Sequence, residues 1–305
     1  MTTEEQRLVV AGQDAELLLV RGNSPHRPCL ENRVAYQWEM EGDIIGQWCG
    51  HKRNALALKW LESAVNGPAT SGGARAALDV GCAFGNTILM LNSRLGKRPD
   101  VRLVGVDLHE EGVRYAQSFA KSVPGYSNCE FLVADLSIRL PFEDHTFDAV
   151  NLGDVLEHMQ RPGEALRELA RVSKPGAVIL IGTPLKDGLI KRVARIVNRV
   201  SGGRVYKSYY SGKDTQLDGQ GNPIMVTKAG LDHVSEMSFG QLRKLIAESG
   251  LTIERTELMP VMSGSRWFDR HPFLLGFLML FEAVHGVLRR PSWAHGVRFL
   301  VRVPK

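Results

Sequence analysis

Three aspartates and two glycines stand where side chains and backbone could gather around a ligand. Asp79, Asp107 and Asp135 each close an apolar run, and Gly81 and Gly85 follow the first of these runs in a Gly-x-x-x-Gly turn. Glycine has no Cβ, so a ligand can approach the backbone closely. An acidic residue two positions before the turn would repel a pyrophosphate. The combination therefore favours a cationic ligand.

The elements that position these residues form an alternating pattern over residues 74–183. Helical patterns separate the apolar runs, and Pro162 suits the first turn of one of them. The runs lie at 76–80, 102–107, 129–134, 147–152 and 177–182, and the helical patterns at 86–95, 110–121 and 163–172. Such alternation predicts an α/β fold with a doubly wound, Rossmann-like sheet. Ligands bind at the carboxyl ends of the strands in these sheets, where the aspartates lie.

Two segments flank this core. Residues 1–73 are predicted to form an N-terminal arm or cap, with a hairpin pattern at 8–20 and a helical pattern at 54–65. Residues 184–236 follow the fifth strand as a basic insertion, predicted to be a lid.

The last segment, residues 237–305, is predicted to complete the sheet. Ser238 and Gln241 form a capping-box pattern at the start of a helix. Strands are expected at 251–258 and 297–303, separated by a helical excursion at 272–288. The whole fold is therefore a seven-stranded sheet with helical insertions after strands five and six.

Composition limits the class of protein. The chain has 305 residues, of which 44% are hydrophobic and 23% charged, as in ordinary globular proteins. Its four cysteines contain no Cys-x-x-Cys pair, so we expect no metal site and a reducing, cytoplasmic environment. Acidic residues near the start argue against a secretory signal. No feature indicates the oligomeric state.

The motifs together resemble one enzyme family. Leu78-Asp79-Val80-Gly81-Cys82-Ala83-Phe84-Gly85 forms the strand and turn, Asp107 and Asp135 end the next two strands, and Leu156-Glu157-His158 follows the fourth. In these features the chain resembles the class I S-adenosylmethionine-dependent methyltransferases, in particular the subgroup with Leu-Glu-His at this place. The resemblance implies S-adenosylmethionine as cofactor and methyl transfer to a small-molecule acceptor.

The resemblance also implies cofactor contacts for ten residues at or just after strand ends. They are Asp79, Gly81, Cys82 and Gly85 for the methionine part, Asp107 and Leu108 for the ribose, Asp135 and Leu136 for the adenine, and Asn151 and Leu152 beneath the sulfonium. Taken singly, Asp79 could only cap a helix and Asp107 could only end a strand.

Methylation of oxygen or carbon usually requires a base, and three residues are candidates. His233 follows the insertion, where acceptor pockets are often built, and His158 and Glu157 follow the fourth strand. The alternatives are packing and hydrogen bonding for His158, and helix capping for Glu157. We therefore expect the catalytic group among His233, His158 and Glu157.

Amphipathic character in the insertion bears on the acceptor. Within residues 187–200 the apolar side chains fall on one helical face and Lys191, Arg192, Arg195 and Arg199 on the other. This pattern suits a lid helix or a peripheral contact with anionic lipid. The apolar run 273–281 is predicted to be a core helix. Together these segments favour a lipophilic or lipid-linked acceptor, methylated on oxygen or carbon.

Other functions remain open at this point. A polar metabolite, sugar or amine could be the acceptor, or the domain could bind the cofactor without catalysis. An NAD-dependent oxidoreductase is disfavoured because its Gly-x-Gly-x-x-Gly turn is absent. Residues 183–230 hold nine Lys or Arg against three Asp, which could suit nucleic acid. No Asn-Pro-Pro-Tyr-type motif follows the fourth strand, so we expect no nucleic-acid partner.

Overall fold

A computed structural model describes most of the chain. The described residues are 28–30, 34–36, 44–67, 74–200, 202, 215–217, 223–225, 234–261 and 271–305. The hairpin predicted at 8–20 and His233 lie outside them.

The centre of the structure is a seven-stranded sheet with the order β10-β11-β7-β6-β3-β4-β5. Its strands are β3 (Arg75–Val80), β4 (Val101–Asp107), β5 (Cys129–Val133), β6 (Phe147–Gly153), β7 (Ser173–Pro184), β10 (Thr252–Leu258) and β11 (Gly296–Arg302). Strands β3 to β7 are parallel, and β11 runs antiparallel to both its neighbours. The predicted doubly wound, seven-stranded α/β fold is confirmed.

The described helices flank this sheet. They are α1 (Ile44–Asn66), α2 (Asn86–Arg94), α3 (Glu110–Ser122), α4 (Pro162–Val172), α5 (Leu189–Val200), α6 (Phe239–Glu248) and α7 (Pro272–Leu288). Short strand pairs also form, β1 (Pro28–Leu30) with β2 (Val34–Tyr36), and β8 (Thr215–Leu217) with β9 (Pro223–Met225). The capping box at Ser238 and Gln241 is present.

Side chains along the strands alternate between two hydrophobic cores, one on each side of the sheet. Leu78, Val150 and Ile179 belong to the first, which α4 and α6 cover. Ala77 and Ala149 belong to the second, beneath α1, α2 and α3. Because side chains alternate along a strand, Asp79 and Asn151 lie on the second side. The polar residues at the sheet edge therefore face the α1 side.

Strand β7 begins earlier than predicted. Lys174-Pro175-Gly176 lies inside the strand, whereas the apolar run in the sequence begins only at residue 177. A register shift between β6 and β7 accommodates these residues, with Gly176 at φ 78°. The Lys174 ammonium is buried and donates to Asp148 Oδ2 at 2.8 Å, so an ion pair holds the added first residues of β7 against the sheet.

The position of α7 differs from the expected core helix. Phe273 is almost fully exposed, and Phe277 is largely exposed. The helix instead buries two polar residues, Glu282 and His285. Among the described helices, none combines the length and the apolar character needed to cross a bilayer.

Candidate functional site

The turn after β3 requires glycine. The amides of Gly81 and Cys82 both donate to the carbonyl of Val106, which folds the turn against β4. Gly81 has φ 77°, and a Cβ there would lie 2.2 Å from Val155 Cγ2. An L-residue would be strained and would collide with the loop after β6. The turn and this loop are thus packed directly together.

Asp79 and Asn151 form a buried polar pair at the edge of the sheet. Asn151 Nδ2 donates to Asp79 Oδ1 at 2.6 Å, and Asp79 is only 2% exposed. Burial raises the pKa of Asp79 to about 7, against the lowering effect of hydrogen bonds from Asn151 and Thr87. Asn151 Oδ1 is buried and has no hydrogen-bond partner among the described residues. The site therefore presents a carboxylate and a spare acceptor oxygen side by side.

Asp107 organises the backbone beside this pair. Its Oδ2 accepts from the Ala83 amide and its Oδ1 from the His109 amide, both at 2.7 Å. The charge of Asp107 also contributes to the raised pKa of Asp79. Each oxygen of Asp107 keeps a lone pair for another donor.

The end of β5 lies next to the end of β4. The Ala134 amide donates to the Asp107 carbonyl, and Asp135 Oδ1 accepts from the amide and hydroxyl of Ser137. Leu136 is buried in the first core, whereas Leu108 is more than half exposed. Of the three leucines assigned to the cofactor, Leu108, Leu136 and Leu152, only Leu108 offers an exposed side chain at this edge.

Two further assigned residues point into the core. Cys82 is buried, and burial raises the pKa of its thiol well above the usual range. Leu152 is buried on the opposite side of the sheet from Asn151. Both residues can therefore contact a ligand only through their backbone. Gly85 caps α2 at φ 79°, where a Cβ would collide with Phe131 and Ala116.

The Leu-Glu-His segment forms a single helical turn after β6. Glu157 is buried, its Oε2 accepts from the Thr183 hydroxyl at 2.9 Å, and its carbonyl accepts from the Ser235 amide. His158 is half-buried, and its amide donates to Val155. The hydrogen bonds of Glu157 tie the turn to β7 and to the segment before α6.

Sequence reasoning missed Arg298, which lies on β11. This arginine is buried and packs over Gly182, where a Cβ would lie 3.3 Å from Arg298 Nε. A Cβ on Gly153 would lie 3.8 Å from Nη2 of the same arginine and 3.5 Å from Asn151 Nδ2. Arg298 also lowers the pKa of Asp79. Because neither glycine has a side chain, the Arg298 guanidinium can extend past them towards the Asp79–Asn151 pair.

A second group of charged residues was also missed. Arg53 of α1 donates to Asp154 Oδ2 at 2.6 Å, and Lys191 of α5 donates to Glu236 at 2.5 Å. His295 lies among them, and burial together with Lys191 and Arg53 lowers its pKa to about 4. At pH 7 this imidazole is neutral. In the sequence, the available signals were Arg298, a charged residue inside an apolar strand, and His295, a histidine directly before that strand.

Comparison with known proteins identifies the central segment. Residues 78–181 match the family described as "Methyltransferase domain". The chain is 36% identical over 104 residues to norajmaline N-methyltransferase of Rauvolfia serpentina, covering 34% of each protein. It is 31% identical over 122 residues to demethylmenaquinone methyltransferase of Bacillus pumilus, covering 40% of this chain and 50% of that protein.

The fold agrees with this match. The structure of MccD protein superposes with a TM-score of 0.51 at 17% identity, covering 82% of this chain and 96% of that one. Residues 78–181 form a class I S-adenosylmethionine-dependent methyltransferase domain, and the family implies S-adenosylmethionine as its cofactor. The match spans about a third of the length of norajmaline N-methyltransferase, so it concerns this domain.

The residues present fit that cofactor. A cationic methionine end, carrying a sulfonium and an ammonium group, suits the buried Asp79 carboxylate and the unfilled Asn151 Oδ1. Ribose hydroxyls suit Asp107, whose oxygens still have lone pairs, and the exposed Leu108 next to it offers an apolar contact to the ribose. The chemistry of the donor set thus agrees with the family.

Proposed function

We propose that the protein is an S-adenosylmethionine-dependent methyltransferase that methylates oxygen or carbon of a small, lipophilic or lipid-linked acceptor. The observation that carries the donor side is the buried Asp79–Asn151 pair at the carboxyl edge of a methyltransferase domain. Burying a carboxylate is costly, and the pKa of Asp79 stays raised although Arg298 lowers it, so a cationic ligand stabilises the carboxylate further.

Each part of the donor site has a role in this proposal. Asp79, Gly81, Cys82 and Gly85 line the methionine end, Asp107 and Leu108 hold the ribose, Asp135 and Leu136 hold the adenine, and Asn151 and Leu152 lie beneath the sulfonium. Leu136 supports its region from the core. The bound cofactor supplies an activated methyl group, and the protein mainly aligns the acceptor with it.

A thermal-shift measurement tests the donor assignment. S-adenosylhomocysteine should raise the melting temperature, because it binds the folded state alone, and NAD should not. At about 100 times the dissociation constant the expected stabilisation is about 2.7 kcal/mol. A shift with NAD and none with S-adenosylhomocysteine would reject the proposed cofactor site.

We assign the base to His233, with His158 and Glu157 as the other candidates. His233→Ala should lower turnover at least tenfold while cofactor affinity stays the same, because a base acts on the acceptor proton. His158→Ala tests the second candidate in the same way, and the measurement for both variants is kcat beside the affinity for S-adenosylhomocysteine. Unchanged turnover in His233→Ala would remove this residue from the mechanism.

The support for a lipophilic acceptor comes from α5. Val193, Ile196 and Val200 are exposed on this helix, beside a charged group that includes Lys191 and Arg53. We propose that the protein is cytoplasmic, that residues 187–200 make peripheral contact with a membrane surface, and that the acceptor enters the protein there. Vesicle flotation of an Arg192→Glu/Arg199→Glu variant measures this contact.

Labelled methyl transfer tests the acceptor class. Detergent-solubilised lipid extract and an aqueous metabolite extract are incubated separately with methyl-labelled S-adenosylmethionine and the protein. We expect labelled product in the lipid extract. Label only in the aqueous extract would overturn the lipophilic acceptor while leaving the donor site intact.

A further inference from the structure

Helix α7 has its polarity reversed relative to a surface helix of a soluble protein. It exposes large apolar side chains and buries its carboxylate and its histidine. The exposed residues are Phe273 (94% exposed), Phe277 (63%), Leu280 (63%), Val284 (42%), Val287 (82%) and Leu288 (49%). At about 100° per residue they fall within an arc of roughly 100°, so they form one continuous stripe.

The buried face of α7 fixes this orientation. Glu282 Oε2 accepts from the Val261 amide at 3.1 Å, and His285 Nε2 lies 3.3 Å from the Met259 carbonyl. Leu278 and Phe281 pack into a small apolar cluster with Val261. If α7 were rotated so that the apolar stripe faced inward, Glu282 and His285 would move away from the Val261 amide and the Met259 carbonyl. These backbone groups would then lose their side-chain partners.

Helix α5 extends the apolar surface. Leu189 of α5 belongs to the same cluster as Leu278 and Phe281 of α7, so the two helices are neighbours. Val193, Ile196, Val197 and Val200 of α5 are exposed as well. Exposed apolar side chains on two neighbouring helices mark a site of interaction.

Positive charge borders this surface. Arg192 and Arg199 on α5 and Arg290 after α7 are exposed, and neither helix carries an exposed acidic side chain among its described residues. Anionic headgroups complement such a border. A two-fold dimer through the same face would gather two sets of these arginines around one contact, at an electrostatic cost.

We propose that α7 and α5 together form a docking surface for an anionic lipid bilayer, with the Phe273–Phe277 side of α7 entering the acyl region. The proposal extends the membrane contact proposed for α5 to a second helix, and it rests on that part of the proposed function. An interfacial helix buries one apolar face while its basic residues stay at the headgroups.

Vesicle flotation of the full chain tests this docking surface. The probes are phosphatidylcholine vesicles with and without about 30% phosphatidylglycerol. We expect wild-type protein to float with the anionic vesicles, and Phe273→Ser/Phe277→Ser to reduce binding at least tenfold, since each ring loses apolar burial. Arg192→Glu/Arg199→Glu should reduce binding to anionic vesicles only.

Ile138→Ser is the matched control. Ile138 is 70% exposed and follows β5, the opposite edge strand of the sheet from β10. This variant should float like wild type. Equal shifts with S-adenosylhomocysteine show that all variants are folded.

Three results would overturn the proposal. They are absence of wild-type flotation, unchanged flotation of Phe273→Ser/Phe277→Ser, and a wild-type dimer in solution that this double substitution dissociates. Methyl transfer to detergent-solubilised lipid is measured in parallel, without vesicles. If wild-type protein does not float but still methylates lipid, the docking surface and the membrane contact of α5 are rejected and the acceptor class stands. If it floats but does not methylate lipid, only the acceptor class is rejected.

Discussion

Asp79→Asn should make the cofactor-free protein more stable at pH 8 and should weaken its affinity for S-adenosylmethionine at least tenfold. The stabilisation follows from burial, which raises the pKa of Asp79 from 3.8 to about 7. A folded-state pKa above the unfolded value favours folding at low pH, and this contribution is lost as pH rises through about 7. At pH 8 the ionised carboxylate therefore costs on the order of 2–4 kcal/mol, which asparagine avoids.

The loss of affinity has the opposite cause. In the proposed site, the carboxylate that destabilises the cofactor-free protein pairs with the positive charge of the cofactor, whereas asparagine is neutral. Asn151 Nδ2 can still donate to the side-chain oxygen of the new residue, so the geometry of the pair is preserved. In wild type, affinity should fall as pH drops below about 7, whereas the variant should show a flat profile.

Denaturant unfolding at pH 5 and pH 8, with calorimetric binding of S-adenosylhomocysteine, measures both effects. Asp107→Asn is the contrasting control, because both oxygens of Asp107 accept backbone amides. That variant should bind the cofactor more weakly and also lose about 1–3 kcal/mol of stability. A destabilised Asp79→Asn protein would contradict the assignment of Asp79 as a buried carboxylate that is costly to ionise without a cationic ligand.

Gly81→Ala should lower the free energy of unfolding by about 2–5 kcal/mol and abolish measurable cofactor binding. About 1–2 kcal/mol comes from placing an L-residue at positive φ, and about 1–3 kcal/mol from overpacking. The new Cβ would lie 2.2 Å from Val155 Cγ2, so the loop after β6 must move away from the turn.

Gly96→Ala separates the two contributions. Gly96 also has positive φ, 71°, but apart from its chain neighbours no described heavy atom lies within 4 Å of a Cβ placed there. This control should cost only about 1 kcal/mol and leave cofactor binding unchanged. Equal unfolding energies for the two variants would show that the contact between the turn and Val155 is unimportant.

The sheet and the donor edge could be predicted because their signals are local. Apolar runs ending at Asp79, Asp107 and Asp135, separated by helical patterns, give the positions of these strands along the chain directly. The Ser238 capping box lies within four residues and predicted the start of α6. These features depend on neighbours in the chain.

Features that depend on distant partners were not predictable in the same way. The apolar run at 273–281 has the same pattern whether it faces the core or the surface. Glu282 and His285 decide its orientation by bonding to Val261 and Met259, which are more than 20 residues away in the chain. Arg298 likewise gains its place from glycines on two other strands. Contacts between residues that are far apart in the chain decided these positions.

The charged residues that the sequence analysis missed come from outside the segment shared with other methyltransferases. Arg53 lies before residues 78–181, while Lys191, His295 and Arg298 lie after them. The methyltransferase domain and these flanking charged groups are therefore encoded in separate stretches of the chain. We expect that the flanking stretches can change while the shared domain is kept, which would let one donor-binding unit acquire new acceptors.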